Sequence, residues 1–195
     1  MTDQVASAAI MPDTERGHEA RALELPAGEF AAAVAALPLV SVDWVLANPD
    51  GQLLLGQRIN APARGWWFTP GGRIRKNEAL VQAMLRVGRD ELGLAPDACR
   101  KLLGKARLMG AWDHFYADSA FNASLSTHYV NLPHWLALTW DEVALLKLPV
   151  GEQHSAWQWL PLADAAHNPL VHPYVRPYAA WVFERDGAAA QAVMD

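Results

Sequence analysis

From about residue 25 onward, apolar positions recur first at helical and then at alternating spacing. PAGEFAAAVAALP, between Pro26 and Pro38, sets Phe30, Val34 and Leu37 on one face of a short helix. LVSVDWVLA then alternates as a strand, NPDG at 48–51 turns the chain, and QLLLGQR runs back, so residues 39–58 read as a hairpin. GWWFTPGG is extended after Pro62. The next helix is expected to begin near Asn77, capped by its side chain, and to end at Gly93 before Pro96. Leu80, Ala83, Met84 and Val87 share one of its faces. Two β-rich stretches follow at 106–118 and 127–139, then a short strand in SAWQWLPL. HPYVRPYAAWVFERDG closes the fold as an amphipathic helix starting near Tyr174 or Pro177. Strands that flank a central helix without strict alternation imply a mixed α/β (α+β) fold.

Composition narrows the setting. The 195 residues are 52% hydrophobic and 19% charged, enough for one good core and few for two. Residues 1–24 are small and charged without periodicity and read as a flexible extension, leaving 25–195 as a single domain. A net charge of -5 and a pI near 5.8 supply no basic footprint for nucleic acid, so an anionic ligand must be held by a few placed arginines or a metal. One cysteine, Cys99, excludes an intramolecular disulfide framework. The N-terminus has neither a basic region nor an apolar signal core, and no run approaches the ~20 apolar residues that span a bilayer. The expectation is a cytoplasmic protein without a membrane partner, acting on a small molecule.

The chemistry concentrates in TPGGRIRKNEALVQAMLRVGRDELGL, residues 69–94. Gly71 and Gly72 let the backbone approach an anion or metal closely, and the helix behind them brings its positive end nearby. Alone, a Gly pair before a helix reads first as a structural turn. The spacing is more specific: Gly72, Glu78, Arg86, Asp90, Glu91, Gly93 and Leu94 fall where the Nudix box has its fixed positions, and the sequence resembles the Nudix superfamily here. It departs from the box at Val87, which replaces a Glu, at Gly88, which replaces a bulky apolar residue, and at Asp90, which replaces a Glu.

The hairpin sequence, WDHFY, THYV and EQHSAWQWL extend the resemblance over roughly residues 25–185, to the GDP-mannose mannosyl hydrolase branch of that superfamily. The resemblance implies a Nudix fold with mixed β-sheets sandwiched between helices. That branch also lacks the first Glu of the box. It attacks the anomeric carbon of the sugar with inversion, releasing GDP, so the metal need only neutralise a leaving diphosphate. The rival activity is that of a conventional Nudix pyrophosphohydrolase, which attacks phosphorus.

The resemblance further implies residue roles. Glu91, the carbonyl of Gly71 and Gln153 are expected to hold one Mg²⁺ per chain, with Mn²⁺ as a substitute. His154 is the expected general base, and reads otherwise as a solvated loop histidine. Arg58 is expected on the diphosphate, stabilising charge as the bond breaks, together with Arg73 and Arg86. Arg86 reads equally as a partner of Asp90 or Glu91. Asp43 matches an active-site aspartate, or pairs within the sheet. His114 and Tyr129 match residues near the sugar diphosphate, or are half-buried sheet residues. The expected partners are a nucleotide-sugar substrate and a second copy of the chain in a homodimer.

Overall fold

The computed structural model describes residues 25–121 and 123–191, with side chains to residue 185; the extension expected at 1–24 lies outside them. Helix α1 (Ala27–Ala36) starts at Pro26 and buries Phe30 and Val34. Leu37 does not share that face: it leaves the helix in an extended conformation and is exposed.

Strands β1 (Leu39–Ala47) and β2 (Gln52–Arg58) form the expected hairpin, with Ala47 opposite Leu53 at its closed end. Beyond that end they take other partners. β1 runs parallel to β7 (Thr127–Ala137) in register from Leu39–Tyr129 to Ala47–Ala137. β2 pairs with β3 (Trp67–Phe68) and with β8 (His154–Pro161). β4 (Gly71–Arg73) pairs with β1, placing Gly71 opposite Asp43. The stretch expected as one strand at 106–118 is two, β5 (Arg107–Leu108) and β6 (Trp112–Tyr116), because Gly110 between them adopts a φ of 128°; both pair with β7. The result is an eight-stranded mixed sheet.

Alternation along β1 sends its side chains into two cores. Val42, Trp44 and Leu46 pack against α2 (Leu80–Leu92) and α3 (Pro96–Leu103). Val45 and Ala47 pack, with Leu53 and Leu55 of β2, against α5 (Leu162–His167) and α6 (Arg176–Gln191). Helices therefore cover both faces of the sheet, the α+β architecture expected. None of the described helices is long and apolar enough to cross a membrane.

Three helices stand where none was expected. Pro96, read as a helix stop, is instead the first residue of α3. α4 (Trp140–Val143) is opened by a capping box between Thr139 and Glu142, and α5 is six residues long. The start of α2 also differs. Asn77 is not the cap: its φ is 64°, and the helix begins three residues later behind Ala79, whose side chain cannot cap. The other end is as expected, with Gly93 in the left-handed conformation at φ 63°.

Gly88 has a packing reason. A Cβ there would collide with Cys99 Sγ and lie 3.5 Å from Trp44, so its absence lets α2 close on α3 and β1. That contact offsets the ~1 kcal/mol that glycine costs a helix interior relative to alanine.

Candidate active site

The sheet opens at the C-terminal end of β2 and around β4 into a cavity of about 440 Å³. Its lining includes Asp43, Arg58, Gly71, Arg73, Arg86, Glu91, His114, Tyr129 and Gln153. Nine of the ten residues singled out from the sequence are thus brought together from β1, β2, β4, α2, β6, β7 and the loop before β8. His154 is the exception. It is 1% exposed, does not line the cavity, and packs its ring over Gly56 and against Trp157, with centroids 4.3 Å apart.

Asp43 and Glu91 make the negative pole. Asp43 is 5% exposed, and its Oδ2 accepts from Thr69 Oγ1 at 3.2 Å and Asn131 Nδ2 at 2.7 Å. Glu91 is 8% exposed and accepts from the N–H of Gly71 at 3.0 Å. Gly71 sits between the two carboxylates because it lacks a side chain: a Cβ would strike Asp43 Oδ1. Burial pushes both acids up to about 7, and for Glu91 the neighbouring Asp43 adds to the rise. Neutral hydrogen-bond donors and the Arg58 guanidinium pull in the other direction without overcoming burial.

The arginines form the positive pole, in two ranks. Arg58 lies at the end of β2, its Nε donating to the carbonyl of Pro62 at 3.0 Å, and its charge acts on Asp43, Glu91 and Tyr129 alike. Arg73 stacks on the ring of Phe30, 4.0 Å from the centroid. Arg86 is committed elsewhere. Its Nε and Nη2 bond Glu78 at 2.6 and 2.9 Å, and Nη2 also reaches the carbonyl of Arg73 at 2.8 Å. Its partner is therefore Glu78 rather than Asp90 or Glu91; Asp90 pairs instead with Arg89, at 2.7 Å.

The opposite wall is aromatic. His114 is 3% exposed and its ring stacks on Tyr174 at 4.2 Å, nearly coplanar at 7°. Its Nε2 lies 2.8 Å from Tyr178 Oη and its Nδ1 3.5 Å from Tyr116 Oη. Burial lowers its imidazole to about 4. Tyr129 lines the cavity beside Tyr116, and burial raises its phenol.

Sequence reasoning missed Phe30, Arg75, Thr69, Tyr116, Asn131 and Tyr178. Tyr116 was within reach, since WDHFY alternates and puts Trp112, His114 and Tyr116 on one face. Asn131 and Tyr178 carry no local signal, because their bonds span 88 and 64 residues.

The residues fit a divalent cation. Two buried carboxylates with raised proton affinity converge on Gly71, and Gln153 adds an amide oxygen on the same cavity. All are hard oxygen donors, the set that suits Mg²⁺ or Mn²⁺. Among the described residues no group of three or more His, Cys, Asp or Glu is disposed to hold a metal, so neutral oxygens would have to complete a coordination shell here.

A mixed sheet with helices on both faces and a cavity at its end defines a fold class that comparison with known proteins identifies. The chain belongs to the NUDIX domain family, whose model matches residues 37–182. It is 37% identical over 168 residues to the low-salt glycan biosynthesis protein Agl8 of Haloferax volcanii, a match covering 86% of this chain and 97% of that one. A shorter match, 36% identical over 67 residues, covers 34% of this chain and 38% of an ADP-ribose pyrophosphatase of Methanocaldococcus jannaschii. The fold is similar to that of a MutT protein from Methanosarcina mazei, with a TM-score of 0.58 at 16% identity over 78% of this chain and 97% of that one.

Proposed function

We propose that the protein hydrolyses a GDP-sugar, GDP-mannose or GDP-glucose, to GDP and free sugar by attack of water at the anomeric carbon with inversion. The observation that carries this reading is the fate of the missing box carboxylate. Val87 is 1% exposed and packs in the core beside Gly72, so α2 offers the cavity one carboxylate, Glu91, rather than a series. Its relative named for glycan biosynthesis supports a sugar substrate.

In this reading the diphosphate lies against Arg58 and Arg73, with Glu78 and Arg86 bracing the backbone that carries Arg73. Glu91, Asp43, the Gly71 carbonyl and Gln153 would hold the cation, which would supply positive charge to the departing diphosphate. The water oxygen bonds to the anomeric carbon, the bond from that carbon to the β-phosphate oxygen breaks, and its electron pair leaves with the diphosphate. The water's proton goes to the base. We assign that role to His154, whose Nε2 has no hydrogen-bond partner and whose ring burial keeps neutral above about 4. The role requires the ring to turn from Gly56 toward the cavity that Gln153 lines. His154→Gln is expected to lower turnover roughly 10² to 10⁴-fold while leaving GDP affinity within a few-fold.

A second reading, cleavage at phosphorus, is favoured by the partial similarity to an ADP-ribose pyrophosphatase. Incubation with GDP-mannose and Mg²⁺ separates the two. GDP and a free sugar of inverted anomeric configuration, followed by NMR, support the first; GMP and a sugar phosphate support the second and overturn the first. We further propose that the protein works as a homodimer, which sedimentation tests.

A further inference from the structure

A buried chain of hydrogen bonds joins Asp43 to His114 through two residues that do not line the cavity as ligand groups. The ionised Asp43 carboxylate only accepts, so the end of the Asn131 amide that faces it is the nitrogen, and the other end is the oxygen that accepts from Ser41 Oγ at 2.8 Å. The Nδ2 of Asn131 then spends both hydrogens, one on Asp43 Oδ2 at 2.7 Å and one on Tyr178 Oη at 2.7 Å. Tyr178 Oη therefore accepts from Asn131 and keeps its own hydrogen to give. The acceptor within reach is His114 Nε2, at 2.8 Å. Any other arrangement strands a hydroxyl hydrogen on a side chain that is 0% exposed, at the cost of an unmade buried bond.

A neutral imidazole that accepts at Nε2 carries its hydrogen on Nδ1. Nδ1 is the end of the ring nearer Tyr116 Oη, a cavity-lining group, whereas Tyr178 lies outside the lining. A ring turned over about Cβ–Cγ would face Tyr178 Oη with carbon instead of Nε2, so that bond selects the orientation, and Tyr174, clamped to both the N–H and the carbonyl of Phe115 at 2.6 and 2.8 Å, stacks on the ring at 7°. We propose that Asn131 and Tyr178 are positioning residues that fix His114 as the Nδ1–H tautomer, so that it presents a hydrogen-bond donor to an anionic oxygen of the bound diphosphate. The role in binding rests on the function proposed above; the tautomer does not.

The test reads the tautomer directly in the metal-free protein at pH 7.5, from two-bond ¹H–¹⁵N correlations of the His114 ring, assigned by its loss in His114→Gln. The wild type is expected to show Nδ1 protonated and Nε2 bare. Tyr178→Phe is expected to move the ring to the Nε2–H form or a mixture, to lower turnover about tenfold, and to leave the far-UV spectrum and unfolding cooperativity unchanged. Inorganic pyrophosphate with Mg²⁺ is expected to shift the Nδ1 proton downfield in the wild type. An Nε2–H ring in the wild type overturns the proposal without any variant, and so does an unaltered Nδ1–H ring in Tyr178→Phe. The GDP-sugar reading can fail, by cleavage at phosphorus, with the tautomer result intact.

Discussion

Glu78 and Glu91 bracket the two ends of α2 and are both withdrawn from solvent, yet their surroundings leave them in opposite states. Burial pushes Glu78 up, but Arg86 and the N–H of Arg75 more than reverse it, and its carboxyl lies below the ordinary glutamate range. Glu91 has a single backbone N–H and shares its surroundings with Asp43, and burial carries it to about 7. The first acid already has its cation in the fold; the second, in the function proposed, receives one. The same distinction sorts the arginines that line the cavity: Arg86 spends its guanidinium on Glu78, whereas Arg58 bonds a backbone carbonyl and Arg73 stacks on Phe30.

The largest effect is expected from Glu91→Gln, which keeps size and the bond to Gly71 while removing the charge. Turnover should fall roughly 10³-fold and Mg²⁺ should no longer raise the melting temperature. Calorimetric titration checks this, and unchanged Mg²⁺ binding would erase the contrast between the two acids.

Val87→Glu comes next, and acts on stability. The position is 1% exposed in an apolar cluster, so a carboxyl there should cost about 3 kcal/mol or more by denaturant unfolding without adding a second activating ion. A stable variant that binds two ions would mean that this face of α2 can open to the cavity.

Glu78→Gln should cost about 2 kcal/mol, since it strips a half-buried guanidinium of its charged partner, while turnover falls less than tenfold. A loss of turnover as large as that of Glu91→Gln would place Glu78 in the chemistry instead.

The smallest effect concerns the aromatic wall. Burial lowers both His114 and His172 to about 4, below the unfolded value of about 6.5. The unfolded chain thus takes up protons that the folded one excludes. Their contribution to stability is complete above pH 6.5 and is lost as pH falls toward 4. Histidine Cε1–H resonances followed against pH, with excess Mg²⁺, should show both rings titrating near 4; midpoints near 6.5 would mean that the wall is wet.

The hairpin, the long helix and its Gly93 end were legible because they rest on local patterns of spacing and turn chemistry. So were nine cavity residues, through the box spacing and the resemblance. What escaped depends on distant partners. The start of α2 is displaced from Asn77 because Glu78, next in the chain, is drawn back to the Arg75 N–H and across to Arg86. Gly93 ends one helix and Pro96 starts another, and a proline just past a helix end reads as a stop or as a start when only three residues separate the two helices. His154 looked like a loop residue, but it is the first residue of β8, opposite Arg58, where its ring fills the space that Gly56 leaves. The Thr139–Glu142 capping box was readable and simply sits outside the strongly periodic segments.

On the proposed function, water attacks carbon and not phosphorus. Turnover of GDP-mannose in ¹⁸O-labelled water with Mg²⁺, followed by mass spectrometry of both products, addresses it most directly. Attack at carbon puts label in the free sugar, at its anomeric oxygen, and none in GDP; label in a nucleotide phosphate would place the attack at phosphorus and overturn the reading.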